Sequence, residues 1–450
     1  LYKPESKEHV QMPVTETLHR SIFKQILEHE VFPAMGCTEP ISCAFAAAAA
    51  AEQLGMQVET IRLTVDPGTF KNGAAVTIPN SKGRKGNLIA AAMGALIARP
   101  AFKLEILKEV TPQVLEQALG MLDRGAVAYD CCENERGFYI EVLVEGGGSC
   151  ARCVVIGGHT SIALLEKDGL AVSDDSVLGA VNDDHGYRET MRLMKLADLL
   201  HGVVCLDDED RAYIQRGIDM NLAVAEKGVD LKRNSFQLQQ MMKQGLKADD
   251  LFYRVKQKVA SAVDARMGGL AEPVMTSGGS GNQGALTILV PYLVGRHQGV
   301  ELSRIQESIA VSHAVNSYIK SYTGELSVIC GCAIAASISA AIAIVYQQAG
   351  IDEEKISHAI GNVIGDLCGI ICDGAKSGCS MKIVTGAEAS MRSAFMALAG
   401  YGVSNDDGVL GRTAEESIQN LSKISLEGMQ LVDATVVHIL QDKAPRSGKA

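Results

Sequence analysis

Cysteine is the residue type on which any chemistry in this chain turns. Twelve cysteines are spread over 450 residues. Near the C-terminal third, Cys330-Gly331-Cys332 opens an uncharged stretch, and Cys368, Cys372 and Cys379 surround the glycine-rich segment Cys372-Asp373-Gly374-Ala375-Lys376-Ser377-Gly378-Cys379. A flexible loop carrying Cys372 and Cys379 can fold back over an inorganic cluster while a rigid helix presents a third thiol from elsewhere. Three thiolates that leave one iron open suit a substrate-binding cluster, unlike the four-cysteine sites of electron carriers. Spacing alone fits buried structural thiols equally well.

A second group consists of Cys131, Cys132 and Cys150-Ala151-Arg152-Cys153. Four thiols with one C-x-x-C raise the idea of a structural zinc. On strands, however, adjacent residues point to opposite faces, as do residues three apart, so neither pair converges without a bulge. A thioredoxin-like role wants the first thiol at a helix N-terminus, and this pair enters a strand. These four, with Cys43, Cys205, Cys330 and Cys368, are read as structural.

Other polar residues stand in loops. The run Thr276-Ser277-Gly278-Gly279-Ser280-Gly281-Asn282-Gln283-Gly284 contains a formal dinucleotide fingerprint. That fingerprint needs a preceding buried strand, and Gly268 to Pro273 stand there instead. Backbone amides with Ser277 and Asn282 holding a substrate carboxylate, or a plain turn, fit better. Lys71 and Asn72 follow a strand, where they either reach a site or sit in an exposed hairpin loop. His159 reads as a proton donor or a structural histidine. Asp373 and Lys376 either organise the cysteine loop or are solvated.

The elements that must position these groups follow from periodicity. Residues 16–31 carry a helical pattern, a loop spans Pro33 to Pro40, and an Ala-rich helix that lets neighbours approach closely ends near Gly55. Strands fit 58–65, 74–78, 126–132, 138–145 and 150–156, with helices near 86–98 and 112–122. Helical patterns then dominate, as in 188–202, 209–226, 301–321 and 326–348. The expected fold class is α+β: a mainly helical catalytic domain (1–57 plus 175–450) with a smaller α+β domain inserted at 58–174. The crossing point is placed at Ser173-Asp174-Asp175-Ser176.

Composition narrows the classes. With 47% hydrophobic residues the chain can bury a large core, yet it has 4% aromatics and no Trp, so close-packed small residues must supply that core. A net charge of −11 without a basic block argues against nucleic acid. The 21 uncharged residues from Leu326 to Tyr346 are long enough for a bilayer. Their Ala, Ser, Gly and Cys content and the lack of anchoring flanks favour a buried helix and no membrane. Residues 1–20 lack an apolar signal core, so a reducing, cytoplasmic setting is expected.

Taken together, Gly36-Cys37-Thr38-Glu39-Pro40, the Thr276 to Gly284 run, Gly331-Cys332 and Cys372-Asp373-Gly374-Ala375-Lys376-x-x-Cys379 resemble the L-cysteine desulfidase family. That family is related to the iron–sulfur-dependent L-serine dehydratases. The likeness covers nearly the whole chain, in the same motif order. It implies a 4Fe–4S cluster held by Cys332, Cys372 and Cys379, and Cys37 as the catalytic residue. The dehydratase branch carries a further cysteine at its extreme C-terminus, where this chain ends in Ala444 to Ala450 without one, so the resemblance leans to the desulfidase branch. Cys37 would act as a thiolate base, its pKa lowered by helix-terminal amides and nearby iron.

The expected substrate contacts are Thr38, Glu39, Lys71, Asn72, Ser277, Gly278, Ser280, Gly281, Asn282 and Gln283. The implied reaction converts L-cysteine to pyruvate, ammonium and hydrogen sulfide without pyridoxal phosphate. L-Serine dehydration on the same site and a non-catalytic iron–sulfur redox sensor are the alternatives. The small apolar residues of the long helices suit a homodimer.

Overall fold

The computed structural model describes residues 14–133, 135, 137–172, 186–324 and 326–443. Ser173 to Ser176 and the tail from Ala444 lie outside the described residues. The architecture is α+β and mainly helical. One mixed six-stranded sheet runs in the order β3-β2-β4-β5-β6-β7, made of β2 (Thr60–Val65), β3 (Val127–Cys131), β4 (Tyr139–Gly146), β5 (Ser149–Ile156), β6 (Ile162–Lys167) and β7 (Leu170–Ala171). Only the β2–β3 pair is parallel. Alternate residues of β4 are buried, as a sheet with one covered face requires.

The Ala-rich helix Thr38–Leu54 covers that sheet, packing on β4, β5 and β6 and on the helix Asn87–Ile97. Its residues Thr38 to Ala51 are all buried. The closest approach is at Gly94, where a Cβ would overlap the Ala44 carbonyl. Two helix backbones in contact are possible only with small residues on both sides, which explains a large core with few aromatics. On the other side, Leu251–Met267, Gly281–His297, Leu302–Thr323, Ala335–Ala349 and Cys379–Leu398 pack on one another. One contiguous apolar cluster joins both groups.

Several expectations change. The uncharged stretch does not form one helix: Ile329 bridges Ile371, and the helix starts only at Ala335 and ends at Ala349. The Val328 carbonyl and the Cys330 amide are spent on Cys372 and Ile370, so a helix cannot run through them. Among the described residues no helix is long and apolar enough to cross a membrane. Residues 74–78 form no strand and contribute a single Thr77–Lys85 bridge. Residues 188–202 split into Gly186–Leu193 and Leu196–Val203, because Lys195 is extended. Periodicity also passes over the two-stranded sheet of β1 (Pro33–Met35) and β8 (Pro273–Met275), which are antiparallel and each too short to show alternation.

Candidate active site

The small β1–β8 sheet brings two loops together that are some 240 residues apart in sequence. Phe32 and Thr276 exchange hydrogen bonds beyond its end, Thr276 N to the Phe32 carbonyl and Phe32 N to Thr276 Oγ1, each 2.9 Å. Gly36 turns the chain with φ +53°, a region that favours glycine, and a Cβ there would stand 2.9 Å from Pro79. Cys37 then takes extended geometry (φ −82°, ψ 131°) as the N-cap of Thr38–Leu54. Its thiol does not cap the helix. It donates to Glu39 Oε2 at 2.8 Å, while Thr38 Oγ1 donates to the same oxygen at 3.3 Å and Asn72 Nδ2 to Oε1 at 3.0 Å.

The protein's own groups act against the lowering expected for the Cys37 thiol. Burial, then the charge and hydrogen bond of Glu39, push the thiol well above the ordinary range; the Arg266 charge pulls only weakly the other way. Burial also acts against the Glu39 carboxylate, but the His159 charge and the bonds from Cys37 and Asn72 outweigh it and leave its pKa lowered. The negative charge of the pair therefore resides on Glu39, with Cys37 a neutral thiol beside it.

Lys71 and Asn72 do not sit in an exposed hairpin. They lie on the short helix Pro67–Gly73, whose N-cap Asp66 accepts from Thr69 N, and both are buried. Lys71, 1% exposed, reaches Asp433 Oδ1 at 2.5 Å on the C-terminal helix Val432–Lys443. Burial opposes its charge, but Cys372 and Asp433 favour it, and its pKa is raised. Asn72 links two groups: its amide donates to Glu39, and its Oδ1 lies 4.0 Å from Cys372 Sγ.

The thiols of the C-terminal half come together through the Ile329–Ile371 bridge. Cys330 N donates to Ile370 O at 2.8 Å and Cys372 N to Val328 O at 2.6 Å. Gly374 (φ +93°) packs so closely on the Lys71 backbone that any Cβ would overlap the Lys71 carbonyl. Cys379 opens the helix Cys379–Leu398, with its Sγ 3.6 Å from Gly374 O. Cys332 Sγ lies 3.9 Å from Ser280 Oγ, which ties this group to the glycine-rich run. Cys330, read as structural, is hydrogen-bonded to Cys332; that bond lowers Cys330 and raises Cys332.

Among the described residues no three His, Cys, Asp or Glu side chains converge on a single-ion site. That includes Cys131, Cys132, Cys150 and Cys153. Cations surround the loop: Lys376 and Lys382 both donate to Asp373, so Asp373 and Lys376 organise the cysteine loop. Burial acts against the Asp373 carboxylate, but these two bonds hold it below its usual range.

The glycine-rich run is preceded by a strand after all. That strand, β8, is three residues long and pairs only with β1, so no parallel βαβ unit stands behind the fingerprint. Ser277 Oγ is engaged by His313 Nδ1 at 2.9 Å and Asn316 Nδ2 at 3.1 Å, and Lys320 donates to the Gly278 carbonyl. Gln283 borders Gly331, where a Cβ would stand 2.8 Å from Gln283 Nε2. Asn282 Oδ1 accepts from Arg266, a residue the sequence reading passed over. A signal existed: Arg266 is a charge in the otherwise largely apolar stretch Val259 to Met267, which is entirely buried.

Comparison with known proteins adds three findings. Residues 103–438 match the family described as serine dehydratase alpha chain. The chain is 49% identical over 424 residues to a UPF0597 protein of Geobacter sulfurreducens, covering 94% of this chain and 99% of that one. It is 44% identical to a UPF0597 protein of Elusimicrobium minutum (94% and 99%) and 37% identical to one of Clostridium tetani (93% and 98%). No solved structure matches.

Proposed function

The chain belongs to the serine dehydratase alpha chain family, and we propose that it is an iron–sulfur-dependent lyase that eliminates the β-substituent of a small L-amino acid, L-cysteine first. The observation that carries this reading is the convergence of Cys37, Glu39 and Asn72 with the thiols Cys332, Cys372 and Cys379.

The residues present fit a cluster. Three partly buried thiols come from two segments held together by backbone pairing, and buried Lys71 and half-buried Lys382 offset thiolate charge. Cubane ligands sit on different irons, so they need not converge as single-ion ligands do. When bound through Cys332, Cys372 and Cys379, a 4Fe–4S cluster supplies a Lewis-acidic iron with an open position.

The protein's own groups then divide the work. The α-proton moves to the Cys37 sulfur as its thiol proton passes to Glu39 Oε2, so the weak acid at the α-carbon is met by a relay rather than by a standing thiolate. Asn72 fixes the orientation of Glu39. The Cβ–S bond breaks with its electron pair leaving on sulfur as hydrosulfide. The aminoacrylate that remains tautomerises and hydrolyses to pyruvate and ammonium. With L-serine the same steps expel hydroxide, a second reading that rests on membership of a serine dehydratase family.

Anaerobic purification and cluster reconstitution, followed by sulfide and pyruvate assays with L-cysteine and L-serine side by side, tests the proposal. Pyruvate from either substrate supports the lyase, and the ratio of the two kcat/KM values assigns it. No turnover of either by iron-loaded protein refutes it and leaves the redox sensor, which has no need of the Cys37–Glu39 pair.

A further inference from the structure

Arg266 stands in the last turn of Leu251–Met267, where a cation complements the helix dipole but ordinarily extends into water. Here the residue is 3% exposed. Nη1 donates to Asn282 Oδ1 and Nη2 to the Gly36 carbonyl, both neutral acceptors. Nε has no partner, and among the described residues no carboxylate pairs with this guanidinium. Burial acts against its charge and outweighs the thiols Cys37, Cys332 and Cys379 and the carboxylate of Glu39, which favour that charge from nearby but accept no hydrogen bond from it. A guanidinium carries five N–H donors, of which these bonds use two.

A second observation comes from the neighbouring helix. A Cβ at Gly281, the first residue of Gly281–His297, would stand 2.5 Å from both Cζ and Nε of Arg266. The guanidinium therefore packs on the first turn of a 17-residue helix whose N-cap, Ser280, makes no side-chain cap bond. The first amides of a helix lack intrahelical partners and attract anions. A buried guanidinium with an unused donor and an uncapped helix N-terminus thus meet beside the Cys37 loop. The planar, singly charged group that suits both is a carboxylate.

We propose that Arg266, together with the N-terminal turn of Gly281–His297, holds the α-carboxylate of the substrate and makes the site selective for free amino acids over their amides and esters. The inference rests on the lyase reading, whose substrate class it specifies. Its bond to the Gly36 carbonyl ties that carboxylate to the backbone carrying Cys37, which places the α-carbon next to the thiol.

The test is calorimetric binding of two probes that cannot undergo elimination, L-alanine and L-alaninamide, to reconstituted wild type, Arg266→Gln and Arg266→Lys, with iron content measured for each. Wild type is expected to favour the acid by about 10- to 100-fold, the worth of charge-assisted hydrogen bonds. Arg266→Gln is expected to lose that preference while keeping its iron, and Arg266→Lys, which retains charge but not the fork, to fall between. Equal binding of acid and amide by wild type overturns the proposal, as does an undiminished preference in Arg266→Gln. Loss of iron from both variants with their acid preference intact also overturns it, because Arg266 would then serve the thiolates. Should Arg266→Gln not fold, an undiminished preference in Arg266→Lys has the same force. An iron-loaded wild type that prefers L-alanine yet eliminates nothing from L-cysteine or L-serine refutes the lyase reading alone.

Discussion

Glu39→Gln separates the two ways in which the Cys37–Glu39 pair can share one negative charge. The substitution keeps the shape and the acceptor for the thiol and removes the charge. Two unit charges 4 Å apart at an effective dielectric of 20 interact by about 4 kcal/mol, or about 3 pKa units. Cys37 Sγ lies 2.8 Å from Glu39 Oε2, and both groups are buried, so an effect of that order applies here. A carboxylate disfavours a neighbouring thiolate; its removal makes the thiolate easier to form. The Cys37 midpoint should therefore drop in the variant, and modification at a fixed pH below it should speed up by orders of magnitude.

The readout is the rate of iodoacetamide modification of the Cys37 peptide against pH, followed by mass spectrometry with Cys37→Ser as the blank, since only the thiolate reacts. Turnover should meanwhile fall by about 10²- to 10⁴-fold, because the proton acceptor is lost although the thiol ionises more readily. An unmoved or higher midpoint in Glu39→Gln would show that Glu39 is not the ionised partner and would sink the relay. A lower midpoint with full activity would show that Cys37 works as a standing thiolate.

Three further outcomes are expected. Cys372→Ser should lose the iron and the visible absorbance of reconstituted protein, whereas Cys37→Ala should keep both and lose turnover; the reverse pattern would exchange their roles. Gly94→Ala drives a methyl into the Ala44 carbonyl and should cost about 1–3 kcal/mol of stability in urea titrations, with a neutral result contradicting the described helix contact. His313 is held at a pKa of about 3 by burial, well below its unfolded value near 6.5, so its contribution is present above pH 6.5 and lost as pH falls toward 3. Between pH 7.5 and 5.5 this is worth about 1.4 kcal/mol, and His313→Asn should flatten that part of the stability profile.

Much of the scaffold was legible because its signals are local. Alternation at Ile61, Leu63 and Val65 marks β2, and the small-residue run from Ala44 to Ala51 marks a helix made for backbone contact. The motifs around Cys37 and around Cys372 to Cys379 could be recognised as a set, and the family match, over residues 103–438, takes in the second of them. What periodicity misread are places where pairing across the chain overrides local preference. Ile371 holds Ile329 extended and delays the apolar helix to Ala335. β1 and β8 exist only because each supplies the other's hydrogen bonds.

The charges of the site were the least legible part. The position of Cys37 before a helix suggested a lowered thiol pKa. Yet burial, and after it a carboxylate two residues on in the first turn of the same helix, reverses the sign. Lys71 was legible only as a candidate contact and Arg266 only as a charge in a largely apolar stretch; packing alone puts the first against Asp433 and the second against Gly36 and Asn282. The amino-acid order by itself determined which residue types were available, three thiols around a glycine loop and one in Gly-Cys-Thr-Glu-Pro, because spacing and local propensity are written in neighbours. Tertiary structure alone decided which of them carries charge and which face one another. Burial and contacts between residues hundreds of positions apart set the local dielectric and the partners, and neither is a property of any short segment.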